Sequence, residues 1–330
     1  MKKILPIAMI ALAAMAVSCS NDDDNGLKNP TKDAISFSRP YVINSVKEKT
    51  GSTNIDFNSF YVWGFVNSPD SYIFDKNRVT LNGGNWVVDK TEYWYAGQEY
   101  YFSAIAPTSA NIIFDKVTAN ADSYLGGGSI QFDNTVNPGK TDLVYAFSDK
   151  ITAKDNGNTP VPMTFRHLLS RVMFTFTNNV SQSTSLVIKN LNLVGLYSKG
   201  TIDMNSSDAV WAPSDTDTEL TIPDIKADSV FTHNKSTISD SRFIIPGTDT
   251  FNVSFDVEVY NGTQKVATYS HTVTITAFNF EIGNSYNFKT TFTGDNLNPA
   301  GALEPIKFTV TEVEAWDENN SEMPIPTPGN

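Results

Sequence analysis

Residues 251–260 read Phe-Asn-Val-Ser-Phe-Asp-Val-Glu-Val-Tyr. Phe251, Val253, Phe255, Val257 and Val259 fall on one side of an extended chain, and Asn252, Ser254, Asp256 and Glu258 fall on the other. A strict period of two puts one face in a core and one in water, which makes this a strand of a layered β structure. Asn261-Gly262 follows at once, and residues 263–275 form a second strand-like run. Asn-Gly between two such runs predicts a hairpin with a type I′ turn, positive in φ at both central residues. The same grammar runs through the chain: stretches rich in Val, Ile, Phe, Tyr and Thr alternate with Gly, Asn, Asp and Pro. No segment keeps a helical period, although residues 167–170 have room for one turn. Parallel α/β folds need helical crossovers, so the class is all-β.

Other strands are legible the same way. Residues 60–66 are apolar on both faces and belong at the centre of a sheet. Residues 100–106, 142–147, 172–176, 186–196 and 286–292 are further strands. In residues 306–316, Ile306, Phe308 and Val310 keep step, but Val313 and Ala315 are out of phase, which predicts a β-bulge near Thr311 and Glu312. Asp155-Asn156-Gly157-Asn158-Thr159-Pro160 is a cluster of turn formers that divides the body into similar halves. Each half predicts an antiparallel β-sandwich, one over residues 35–157 and one over 158–317. A polar tail over 318–330 contains Pro324, Pro326 and Pro328 and makes a poor strand.

The front of the chain reads as an address. Lys2 and Lys3, an apolar run and then Ala16-Val17-Ser18-Cys19 make a secretory signal over residues 1–18. The run is shorter than the roughly 20 residues that span a bilayer. Its ending resembles the lipobox of bacterial lipoproteins, which implies cleavage before Cys19 and acyl chains on it. The chain would then be anchored to a membrane rather than cross it. Cys19 is the single cysteine, so folding proceeds without disulfides. Residues 19–34 begin with an acidic cluster, Asp22-Asp23-Asp24, and are too polar to order themselves, which makes them a tether. The acidic cluster also resembles the surface-export signal of Bacteroidota lipoproteins, implying the outer face of the outer membrane.

The formal charge is −12, and losing Lys2 and Lys3 with the signal would make it −14. Basic residues form no stripe, which argues against nucleic acid and against anionic lipid surfaces as partners. His167, His233 and His271 do not stand at ligand spacing, so no metal or other cofactor is expected. Asp256 and Glu258 match a glycosidase pair in residue type alone, because they share a wet strand face. Gly126-Gly127-Gly128 precedes no helix, and no Gly-x-Ser-x-Gly elbow occurs, so no residue supports an enzyme. Trp86, Tyr93, Trp94, Tyr95, Tyr100 and Tyr101 are read as core, with sugar stacking as the alternative. Asp228-Ser229-Val230 matches a short O-glycosylation pattern.

Five stretches, in order, resemble the fimbrillin (Mfa1/FimA-like) family of Bacteroidota surface proteins. They are Phe60-Tyr61-Val62-Trp63-Gly64-Phe65; residues 94–107; Asp142-Leu143-Val144-Tyr145-Ala146; residues 163–172, with Phe165, His167, Leu169, Ser170 and Val172 in the family's spacing; and residues 283–288 with the closing strand to Trp316. The resemblance implies two transthyretin-like Greek-key β-sandwiches in tandem. It implies a structural or adhesive fimbria component (pilus subunit, anchor or tip) whose partners are other fimbrial subunits, the outer membrane and a surface ligand. A surface glycan-binding lipoprotein that does not polymerise is the alternative. In the family, a protease removes the first strand and a neighbouring subunit's strand replaces it. The matching segment here carries Ile35, Phe37, Tyr41 and Ile43 as inward candidates, and Pro40 makes it an edge strand. Processing would fall at Arg39, whose bond to Pro40 resists trypsin-like cleavage, or at Lys47 or Lys49.

Overall fold

The computed structural model describes residues 30–43, 51–52, 57–115, 129–203, 210–214, 220–227, 229–302 and 304–313, and none of them is helical. The strands in chain order are β1 (Pro30–Ala34), β2 (Tyr41–Ile43), β3 (Gly51–Ser52), β4 (Ser59–Val66), β5 (Ser68–Asn82), β6 (Asn85–Val88), β7 (Tyr93–Tyr95) and β8 (Glu99–Ala106). Then come β9 (Ile112–Asp115), β10 (Ser129–Asp133), β11 (Val144–Phe147), β12 (Ile151–Thr152), β13 (Thr164–His167), β14 (Ser170–Asn178), β15 (Thr184–Leu196) and β16 (Lys199–Asp203). The last are β17 (Val210–Ser214), β18 (Leu220–Ile225), β19 (Ser236–Ile238), β20 (Arg242–Ile244), β21 (Gly247–Asn261), β22 (Gln264–Phe280), β23 (Ser285–Phe292) and β24 (Thr309–Val313). The all-β expectation holds.

A nine-stranded sheet runs β3-β2-β13-β11-β8-β4-β5-β6, with β12 against β8. β4 lies inside it and is buried on both faces, as its composition predicts. The period of two sorts its residues: Phe60, Val62 and Val66 join one apolar cluster, while Trp63 and Phe65 join another. The first cluster is closed by Ile35, Phe37, Val161 and Met163. The second is closed by Ile130, Phe132, Ile202 and Trp211, from a sheet ordered β17-β16-β10-β9. That sheet takes two strands from before Gly157 and two from after it.

A third cluster lies between the sheets β18-β15-β21-β22 and β19-β14-β23-β24. Its largest fully buried members are phenylalanines, among them Phe174, Phe176, Phe251, Phe255 and Phe288. β21 supplies the five residues that its alternation places inward, each under a tenth exposed. β14 and β23 run parallel over eight residue pairs from Arg171↔Ser285 to Asn178↔Phe292.

Three local expectations are corrected. Residues 167–170 make no helical turn: β13 ends at His167, β14 starts at Ser170, and the Leu168 N–H donates to the Leu143 carbonyl at 2.9 Å. The short link between the two strands is held to the start of β11, which leaves no room for a turn. No bulge interrupts β24, whose register with β23 is continuous through Thr311↔Asn287 and Glu312↔Tyr286. Ile306 and Phe308 precede the strand, so they never shared its alternation. The β21–β22 hairpin forms, but Asn261 pairs with Gln264, leaving Gly262 and Thr263 at the turn. Positive φ falls on Gly262 alone, at 59°, so the turn is not type I′.

Candidate functional site

The segment from Pro30 to Ile43 closes the first apolar cluster, and its hydrogen bonding is broken. β1 lies antiparallel to β7 with a slipped register, Pro30↔Tyr95 and Ala34↔Tyr93. The Ile35 N–H then donates to the Glu92 carbonyl at 2.8 Å. From there the chain changes neighbour. Phe37 bridges Val161 in parallel; the Val161 N–H donates to the Ser36 carbonyl and the Ser38 N–H to the Val161 carbonyl. Pro40 has no N–H to offer, so the next such bond comes from Tyr41, to the Met163 carbonyl at 3.1 Å. β2 then runs parallel to β13, from Tyr41↔Thr164 to Ile43↔Arg166. Among the described residues, only the two-residue β3 lies outside β2.

Side chains hold what the ladder does not. Ile35 and Phe37 are buried, as their spacing predicts. The Phe37 ring sits 6.0 Å from Phe60, 5.9 Å from Phe74 and 5.8 Å from Phe102, edge-on to the first and last. The pocket is tight from below, since a Cβ on Gly64 would lie 2.9 Å from both Ile73 and Phe74. Past Pro40 the inward position shifts by one: Val42 is buried and Tyr41 is half-buried. The proline break resets the alternation, so Tyr41 is not the inward residue expected. The Ile43 side chain lies outside the described ones.

One polar contact pins the segment to the turn cluster. The Asp33 carboxylate accepts from the Asn158 backbone N–H at 3.0 Å and from its Nδ2 at 3.2 Å. These bonds, the backbone one first, hold Asp33 below the usual carboxylate range. Asn158 Oδ1 in turn accepts from the Lys154 N–H at 2.8 Å. Nothing in the sequence signals this pair, because the partners are 125 positions apart.

Arg39 is exposed on this segment and Pro40 behind it is buried. Cys19, Lys47, Lys49, Gly126-Gly127-Gly128, Trp316 and the proline tail lie outside the described residues. The structure does not bring the remaining candidates together. His167 Nδ1 lies 3.0 Å from Asp142 Oδ1. His271 is 3.0 Å from the Leu297 carbonyl and stacks on Phe255, and burial pushes its pKa down. Asp256 accepts from Asn190 and Ser270, and Glu258 from Lys265 and Tyr260, on the outer face of β21. Among the described residues, no three His, Cys, Asp or Glu side chains are placed to share a metal ion.

The aromatic stretch is core where its rings are widest. Trp94 is 1% exposed and packs edge-on against Tyr100 at 4.7 Å; Trp86 is tilted against Phe60 at 5.4 Å. Burial raises the Tyr100 hydroxyl to about 12, and its oxygen accepts the Tyr95 N–H. A ring as covered as Trp94 offers no face to a sugar. Ser229 is exposed.

Comparison with known proteins gives the geometry a context. A family model described as fimbrillin-like matches residues 48–316. No curated protein matches the sequence. The solved structure of a fimbrial protein from Bacteroides vulgatus aligns over 86% of this chain and 99% of its own, at 15% identity and a TM-score of 0.57. The fimbrial anchor protein Mfa2 from Porphyromonas gingivalis aligns over 86% and 98%, at 10% identity and a TM-score of 0.40.

Proposed function

The chain belongs to the fimbrillin-like family, a fimbrial component exposed at the cell surface with other fimbrial components as partners, and we propose that it works there by exchanging its first segment. In this reading residues 1–18 are a signal, Cys19 carries the lipid that tethers the chain to the outer membrane, and the tether ends at residue 29 rather than at the expected residue 34, because residues 30–34 form β1 against β7. The reading keeps two sandwiches but not the boundary expected between residues 35–157 and 158–317, since β13 lies in the sheet of β2 and β11, and β9 and β10 share a sheet with β16 and β17. The segment with Ile35 and Phe37 is the strand to be displaced, after a cut at Arg39, Lys47 or Lys49, and a strand of another subunit takes its place. The reading assigns the chain no catalysis and no cofactor.

One observation carries it: Phe37 fills a three-phenylalanine socket, while the main chain around it changes neighbour and breaks at Pro40. A segment held by three buried side chains, Ile35, Phe37 and Val42, and a discontinuous ladder can leave without unzipping the sheet interior. What it vacates is an apolar groove with unpaired main chain beside Val161 and Met163, the surface that strand addition uses. The test has two parts. Mass spectrometry of the native protein should find either an acylated Cys19 or a new N-terminus between Arg39 and Lys49. Protein lacking residues 34–49 should bind other subunits of the same fimbria more tightly than the full chain. If the truncated form folds yet binds none of them, strand exchange is wrong.

A further inference from the structure

Sheet edges attract other chains, and proteins blunt them with short strands, prolines and charges. This molecule does so at every described edge but one. The strands that end its sheets elsewhere have six residues or fewer. β18 adds Pro223 and Asp224, β17 adds Pro213, and β1 adds Pro30, Lys32 and Asp33. β22 has 17 residues, and among the described strands it pairs with β21 alone. From Val266 to Phe280 it contains no proline, no glycine and no Lys, Arg, Asp or Glu. Among the described residues no backbone hydrogen bond joins residues 267–276 to anything but β21.

The pairing is also regular where the edge is barest. From Phe251↔Ile275 to Val259↔Ala267 the register is unbroken, and its slips lie outside that stretch. Thr268, Ser270, Thr272, Thr274 and Thr276 are all exposed on the outer face. Tyr269, Val273 and Ile275 on the other face are half-buried. Beside residues 270–274 the strand is flanked by an open groove of about 500 Å³ rather than by a covering strand. Its far wall is the loop with Asn296, Pro299 and Glu304.

We propose that the free edge of β22 pairs with the same edge of a second copy of this chain, antiparallel and centred on Thr272. The sequence is self-complementary about that point. Ser270 meets Thr274 and Thr268 meets Thr276, which are hydroxyl pairs favoured across strands. Tyr269 meets Ile275, an aromatic and β-branched pair, and His271 meets Val273. No like charges oppose each other. His271 could not sit at the centre, because it is buried and bonded to Leu297, whereas Thr272 is free to face its copy. The product is an isologous contact in which one sheet continues into the next. This contact is separate from the proposed exchange of the N-terminal segment.

Full chain carrying Cys19→Ser, so that any introduced thiol is the only one, provides the test. Thr272→Cys should oxidise to a covalent dimer about tenfold faster than Thr221→Cys, which sits on the opposite edge strand. Mixing Thr268→Cys with Thr276→Cys should give the mixed dimer. In sedimentation equilibrium the unsubstituted chain should dimerise, and Thr272→Lys should raise the dissociation constant at least about tenfold while the melting temperature measured at monomeric dilution stays unchanged. Equal oxidation at Thr272 and Thr221, a monomer at every concentration, or a dimer indifferent to Thr272→Lys would each overturn the pairing.

Discussion

The two margins of this molecule that face open space are built on opposite terms. Around Phe37 the main chain is poorly served: it slips against β7, jumps to Val161 and breaks at Pro40. Its main hold is side-chain packing: one ring in a socket of three others, with Ile35 and Val42 buried on either side. Along β22 the main chain is served almost without interruption by β21, and the outward side chains are small hydroxyls. Cohesion at the first margin lives in side-chain packing, and at the second in the backbone ladder. Packing is lost all at once when the ring leaves its socket, whereas a ladder frays residue by residue. The first margin therefore suits exchange, and the second suits addition.

The sharpest break of this contrast is Phe37→Ala. Emptying a buried phenylalanine site costs about 3–5 kcal/mol. Urea unfolding followed by near-ultraviolet absorbance of the aromatic cluster should show a loss in that range. Thr272→Ala on β22, where the side chain is exposed, should stay within about 0.5 kcal/mol. Equal losses at the two sites would erase the distinction between a packed margin and a laddered one.

Gly64→Ala probes the socket from the other side. The added methyl would come within 2.9 Å of Ile73 and Phe74 and 3.0 Å of Phe102. Overpacking of this kind costs about 1–3 kcal/mol. Phe74 and Phe102 also line the seat of Phe37, so the strain should loosen the segment. Amide exchange at Ile35 and Ser38 should quicken in this variant more than global stability alone accounts for. Unchanged exchange at these two amides would mean that the socket and the segment are uncoupled.

The difference between the margins also governs how much is legible in the sequence. β21 and β22 are legible because a half-buried strand writes its faces into alternate residues, and a hairpin needs only local turn residues. β4 is legible because two buried faces leave no polar positions. The segment at Phe37 is half legible: Ile35 and Phe37 follow the alternation, but Pro40 resets it and hands the inward place to Val42. The phase slip near Val313 misleads because Ile306 and Phe308 belong to the core without belonging to the strand. Sequence distance hides the rest. No local signal tells that Asp33 reaches Asn158, or that β9 and β10 share a sheet with β16 and β17. The bareness of the β22 edge is written in its composition, but it means nothing until the topology makes β22 an end strand.

The smallest effect separates the margins by pH. Asp33 is held below its ordinary value of 3.8 by bonds from Asn158 that only the carboxylate accepts in full. A carboxylate with a depressed folded-state pKa contributes stability above its unfolded value, and that contribution fades as pH falls through the folded value. The latch is therefore closed at neutral pH and opens below about 3.8. Amide exchange at Ile35 and Ser38, corrected for intrinsic rates, should accelerate over that window relative to Val257 in the middle of β21. Asp33→Asn should hold the exchange at one level across it, because an amide does not titrate. If Ile35 and Val257 respond to acid in parallel, with or without the Asp33 carboxylate, the turn cluster does not pin the segment, and side-chain packing is its main hold.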